Sequence, residues 1–269
     1  MTIVKGIMTM NGSLGNVTFY TQRGTSQVIM RAKGGANRKE MASNPKFEGL
    51  RKHQKEFGGC SGFGKYARNA FGELRRVADY NLSAVLTGIG RNLMKLDTTS
   101  EVGKRSLYLS RNKEALEGFN FNRTNPFTSV LRIIPRVELD RAKVTGVITI
   151  PRINTETDLM NFRKMPFFRI LVSIGALSDM MYNPTTGSYE PMGVEMNGIS
   201  RTLTGEWHST QAILPEQTLS VALPEERIAF LTDHVSVLLC MAVEFGNVGQ
   251  AGEPVEVKYA GCGKVVKVG

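Results

Sequence analysis

Val235–Phe245, VSVLLCMAVEF, and its counterpart Phe167–Leu177, FFRILVSIGAL, decide how the second half of this 269-residue chain folds. Near-continuous apolar runs of this length, rich in β-branched and aromatic residues and bounded by turn signals, form the central strands of a sheet. Further strand signals surround them: SVLRII, RVELD and KVTGVITI between Ser129 and Ile150, then QTLSVAL, PVEVKYA and KVVKV towards the C-terminus. YNPTTGSY and GNVGQAGEP separate several of these as turn clusters. The spacing predicts an antiparallel β-sandwich of about seven strands over residues 129–269.

The first hundred residues read differently. Residues 12–35, GSLGNVTFYTQRGTSQVIMRAKGG, predict a β-hairpin in which VTFY and QVIM flank TQRGTS, with Gly24 in the turn and Val17 and Phe19 on one face. A lone hairpin is marginal in water, so this one needs a further strand or a packing surface. Asn44 and Pro45 then start a helix with Phe47, Leu50 and Phe57 on one side, and Gly58 and Gly59 are expected to end it. A second helix begins near Ser61. Its apolar residues Ala67, Ala70, Phe71, Leu74 and Val77 fall within about 120° of a helical wheel, and Lys65, Arg68, Arg75 and Arg76 gather opposite. A third runs from Leu82 to Leu96 on Leu82, Val85, Leu86, Ile89, Leu93 and Leu96. The expected class is therefore α+β: an N-terminal β-hairpin and basic helical bundle over residues 1–100, a connecting segment over 101–128 with a short helix near Asn112–Gly118, and the sandwich.

Charge is unevenly spread. Of the net +10, residues 1–100 hold 16 Lys+Arg against 6 Asp+Glu, residues 101–269 hold 18 of each, and residues 144–269 hold 9 against 13. A basic front half fits two kinds of partner: nucleic-acid phosphates, through counterion release, or the acidic rear half of another copy. The candidate contact residues are Arg31, Lys33, Arg38 and Lys39 after the hairpin and Lys65, Arg68, Arg75 and Arg76 on the second helix. Phe19, Tyr20, Phe63 and Tyr66 lie in the same half, where aromatic rings stack on unpaired bases.

Catalytic frames are missing. GGCSGFGKY, Gly58–Tyr66, contains the G-x-x-x-x-G-K outline of a phosphate loop, but Tyr66 stands where a magnesium-binding hydroxyl belongs, and charged KHQKEF precedes it instead of a buried strand. His53, His208 and His234 are isolated, and no HExxH, G-x-S-x-G or EF-hand pattern occurs. Cys60, Cys240 and Cys262 are scattered without disulfide or metal-ligand spacing. The expectation is a chain with no catalytic, cofactor or metal site. Without a run of about 18 apolar residues no membrane insertion is expected, and MTIVKGIMTMNG lacks the features of a signal peptide, which points to cytoplasmic synthesis.

The pattern GSLGNV at Gly12–Val17, VIMR at Val28–Arg31, a glycine-bearing spacer and an F-x-x-L helix at Phe47–Leu50 resembles uncharacterised proteins of Bacteroidetes genomes, in which a Gly/Val hairpin ending in Arg precedes a helical segment and a β-rich half. The resemblance covers roughly residues 5–60; it implies no particular activity and points to an assembly or virion-type component. The function expected is thus a non-enzymatic structural protein that self-associates as a homo-oligomer, a phage-derived or surface assembly subunit. The alternative is a protein that binds DNA or RNA through its basic half.

Overall fold

The computed structural model describes residues 2–4, 11–21 and 26–269. The chain forms two compact units, Met1–Arg51 and Lys52–Gly269. In the first, strands β1 (Thr2–Val4), β2 (Gly12–Leu14), β3 (Val17–Thr21) and β4 (Val28–Ala32) make an antiparallel sheet ordered β1-β4-β3-β2. The expected hairpin is the β3–β4 pair, with Val17 opposite Ala32 and Thr21 opposite Val28, and β1 and β2 supply the further strands it needed. Its Gly24 turn lies outside the described residues. Helix α1 (Arg38–Ser43) follows, with the Asn37 side chain accepting from the Glu40 N–H at 2.8 Å as N-cap. Arg51 Nη1 donates to the carbonyls of Met41 and Asn44 at 2.8 and 2.9 Å, occupying acceptors that the helix end leaves free.

Helix α2 (Glu48–Ala70) runs unbroken through Gly58 and Gly59, contrary to the helix end expected there. Gly59 and Gly64 make room for neighbouring groups instead of forming a turn. A Cβ on Gly59 would lie 2.6 Å from Cγ of Tyr189, and one on Gly64 2.9 Å from Oγ1 of Thr87. The helix stops at Gly72, whose φ of +61° lies in the left-handed region that glycine enters freely, and a 3₁₀ turn, Gly72–Val77, follows. Ala67, Ala70, Phe71, Leu74 and Val77 are all buried as the periodicity predicts, but they belong to two elements. Helix α3 (Leu82–Lys95) is capped by Asn81 and matches the third predicted helix. Among the described residues no helix is long and apolar enough to cross a membrane.

The strands of the second unit are β5 (Arg136–Asp140), β6 (Thr145–Ile150), β7 (Ile153–Asn154), β8 (Phe167–Ser178), β9 (Met180–Asn183) and β10 (Ser188–Pro191). They continue with β11 (Ser200–Thr204), β12 (His208–Ser209), β13 (Ile213–Leu214) and β14 (Gln217–Ala222). The last are β15 (Val235–Val248), β16 (Pro254–Glu256) and β17 (Cys262–Val268). The larger sheet is antiparallel, ordered β11-β8-β15-β16, with β12 also on β8 and β17 also on β15. A three-stranded sheet, β14-β6-β5, faces it. SVLRII, expected as a strand, is a helical turn, Phe127–Val130, followed by a single bridge at Leu131.

Alternation along β8 and β15 sorts their side chains between two cores. Phe168, Ile170, Val172, Ile174 and Ala176 pack with Val237, Leu239, Met241 and Val243 towards the smaller sheet, around Ile148, Ile150 and Val221. The opposite face reads Arg169, Leu171, Ser173, Gly175 and Leu177 on β8, and Leu238, Cys240, Ala242 and Glu244 on β15. Its apolar members pack with Ala70, Phe71, Leu74 and Leu86 of the helical segment. Small residues on this face admit the end of α2. A Cβ on Gly175 would lie only 2.0 Å from the Ala70 carbonyl oxygen.

This arrangement departs from the expected division at residues 100 and 128. The helices of residues 52–100 form no separate bundle, and Leu107, Leu109, Leu116 and Phe121 of the connecting segment enter the same core. The predicted helix near Asn112–Gly118 is a 3₁₀ turn, Lys113–Ala115.

Neighbouring glycines should therefore respond oppositely to alanine. Gly58→Ala meets nothing within 4 Å and should raise the urea midpoint, by up to ~1 kcal/mol of helix propensity. Gly59→Ala should lower it by ~1–3 kcal/mol through overpacking on Tyr189, and Gly175→Ala by at least as much, because the obstacle is backbone. Equal shifts at positions 58 and 59 would refute the packing role.

Candidate functional site

Arg31, Lys33, Arg38 and Lys39 all lie in the N-terminal unit and are exposed. Arg31 sits in β4 opposite Thr18, and Lys33 Nζ donates to the Gly15 carbonyl at 3.0 Å. Arg38 and Lys39 occupy the first turn of α1, where the helix dipole disfavours positive charge, so local helix stability does not account for them.

Lys65, Arg68, Arg75 and Arg76 do not share one helical face. Lys65 and Arg68 lie on α2, whereas Arg75 and Arg76 follow Gly72 on the 3₁₀ turn. Lys65 Nζ is 5.6 Å from the Tyr66 ring centre, and Arg68 Nη1 donates to Ser83 Oγ at 2.7 Å. Arg76 turns inward. Its Nε is 2.8 Å from Oε1 of Glu244 and its Nη2 donates to Oε2 at 3.1 Å. Arg169, the cross-strand partner of Glu244, donates through Nε to Oε2 at 2.8 Å and reaches Glu256 Oε2 through Nη2 at 3.0 Å. The Arg169 guanidinium in turn lies 4.2 Å from the Trp207 ring centre. Arg76 is thus no free surface cation, since it compensates a carboxylate buried on the central strand.

Two adjoining hollows gather the rest. One of about 240 Å³ is lined by Arg75, Arg76, Glu244, Glu256, Lys258 and Tyr259. The other, about 420 Å³, shares Arg75 and Tyr259 and adds Arg68, Tyr80 and Ser83. Arg123 Cζ stands 4.2 Å from the Tyr80 ring centre. The structure therefore joins Arg68 and Arg75 with Lys258 and Tyr259, which no sequence spacing connects to them. Of the aromatic residues expected to stack on bases, Phe63 is fully buried and Phe19, Tyr20 and Tyr66 are half-buried; Tyr259 is exposed in their stead, at φ +60°.

Among the described residues no group of three or more His, Cys, Asp or Glu could hold a metal ion. Ser110, Asp179 and His234 do come together. Ser110 Oγ donates to Asp179 Oδ2 at 2.6 Å, its N–H to Oδ1 at 3.0 Å, and His234 Nδ1 is 3.4 Å from Oδ2. The carboxylate sits between hydroxyl and imidazole, which is not the order of nucleophile, base and orienting acid. All three cysteines are buried. Burial, together with the nearby Glu56 charge, pushes the Cys60 thiol up to about 11; burial pushes Cys262 to about 12 and Cys240 upward as well. The thiolate is the reactive form, so these thiols are inert while the chain is folded.

Two outcomes follow for this region. Arg76→Ala should cost on the order of 3 kcal/mol in urea unfolding, because Glu244 stays buried with one cation fewer, whereas Arg75→Ala beside it should cost under ~0.5 kcal/mol. Iodoacetamide at about pH 9, above the ordinary thiol pKa of ~8.5, should label no cysteine in the folded chain and all of Cys60, Cys240 and Cys262 after denaturation. Labelling of the folded chain would contradict the burial.

No protein family matches this chain, nor does a curated protein or a solved structure.

Proposed function

We propose that this chain is a non-enzymatic assembly subunit that associates with further copies of itself. The observation that carries this reading is the thin core of the N-terminal unit, where Val28 and Ile29 are the only buried side chains among the described residues. Ordering a residue costs about 1–2 kcal/mol of backbone entropy, while burying an aliphatic side chain contributes about 1.5–3 kcal/mol. Two such side chains do not by themselves offset the ordering of β2, β3 and β4. Strands β1 and β2 end the sheet on either side, and edges of this kind accept a strand from another chain. Charge supports a head-to-tail contact: residues 1–51 hold 8 Lys+Arg against 2 Asp+Glu, and residues 144–269 hold 9 against 13. A virion or surface assembly suits such a subunit and agrees with what the resemblance of its hairpin implies.

A second reading, binding of DNA or RNA, is favoured by Arg68, Arg75 and Lys258 beside Tyr80 and Tyr259 around the two adjoining hollows.

Solution mass at ~0.1 M and ~1 M salt, where the Debye length falls from ~10 to ~3 Å, separates the two when run with and without nuclease. An assembly subunit should give nuclease-resistant oligomers at low salt that shrink at high salt, and charge reversal at Arg31, Arg38 and Lys39 should reduce them to smaller species. A monomer at high concentration and low salt would defeat the assembly reading. Mass lost to nuclease, and restored to monomer by reversing Arg68, Arg75 and Lys258, would favour nucleic acid.

A further inference from the structure

Between α2 and α3 lies a cavity of about 440 Å³, lined also by Arg105. Its volume falls within the roughly 300–1,000 Å³ of small-molecule sites. Cys60 and Met94 form a buried floor, with the thiol Sγ 3.7 Å from the Met94 sulfur, while Phe57 and Ala84 are exposed. Gly88 keeps the α3 wall open, because a Cβ there would meet nothing within 4 Å.

The polar groups of the cavity are unequally occupied. Glu56 is buried, yet Arg105 grips both its oxygens at 2.7 Å and the Gly103 N–H donates at 2.8 Å. Burial pushes the Glu56 carboxyl up, but these hydrogen bonds outweigh burial and hold it below the usual carboxylate range. His53 Nδ1 is a further 3.9 Å contact of the same carboxylate. The negative charge of the cavity is thus consumed. Arg91, on α3 and exposed, has no ion-pair partner among the described residues and leaves the entrance positive.

We propose that this cavity binds a small amphipathic carboxylate, its apolar body on Phe57, Cys60, Ala84 and Met94 and its carboxylate on Arg91. The site is independent of the assembly reading, since it lies wholly within the second unit. A cationic headgroup finds no free carboxylate in it, and a neutral one leaves the Arg91 charge without a partner.

Calorimetric titration of the full chain with decanoate, decanol and decylammonium tests this. Decanoate should bind one to one and tightest of the three. Arg91→Ala should weaken it about tenfold or more, the loss expected for a charge-assisted hydrogen bond. Gly88→Leu should abolish the binding heat while keeping or raising the melting temperature, since it fills the cavity and improves helix propensity. Absence of decanoate binding to the unmodified chain, equal binding of decanol or decylammonium, or decanoate affinity unchanged by Arg91→Ala or Gly88→Leu would overturn the assignment. Because Arg91 is exposed, its variant tests the site even if Gly88→Leu fails to fold.

Discussion

The backbone of Ala70 rests directly on Gly175, at a separation where any side chain on the strand would strike the carbonyl oxygen. Much of the second unit follows from this contact. It seats the end of α2 on the helix-facing side of β8, and the left-handed Gly72 then turns the chain across the sheet. Phe71, Leu74 and Val77 enter the core along that path, beside Leu171, Leu238 and Val265. Arg76, next in line, is carried to Glu244. A bulkier strand face would hold the helix away and leave Glu244 without one of its two cations.

The charged residues obey the same desolvation rule in two places. Glu244 on the central strand and Glu56 inside α2 are both buried, and each is met by arginine: Arg76 and Arg169 for the first, Arg105 for the second. Removing one partner of such a pair is costly because the other charge stays out of water. Pairing these arginines with carboxylates leaves the net charge as it is but decides which cations face solvent. Arg68, Arg75 and Lys258 stay near the surface around Tyr259, and Arg31, Arg38 and Lys39 stay exposed in the N-terminal unit.

The two units differ in how they meet the entropy of folding. In the second, two packed cores lie on either face of one sheet, and β8 and β15 are buried almost end to end. In the first, Val28 and Ile29 are the only buried side chains among the described residues. The proposed self-association rests on that contrast.

Much of the architecture was legible in the sequence. The apolar runs of β8 and β15, the alternation of Val17 and Phe19 and the helical rhythm from Leu82 to Leu93 announce an α+β chain, because periodicity reports which faces leave water. The buried set from Ala67 to Val77 was legible for the same reason, although the break between its two elements was not. The roles of Gly59, Gly64 and Gly175 were hidden, since a glycine that admits Tyr189, Thr87 or a helix end reads in sequence like one that makes a turn. Arg76 looked like its neighbour Arg75, and only the three-dimensional path beyond Gly72 turns one onto Glu244 and leaves the other exposed. Local pattern determined the elements and the sign of the charge; tertiary structure decided which charges are consumed and which residues share a cavity, because those depend on contacts between segments far apart in the chain.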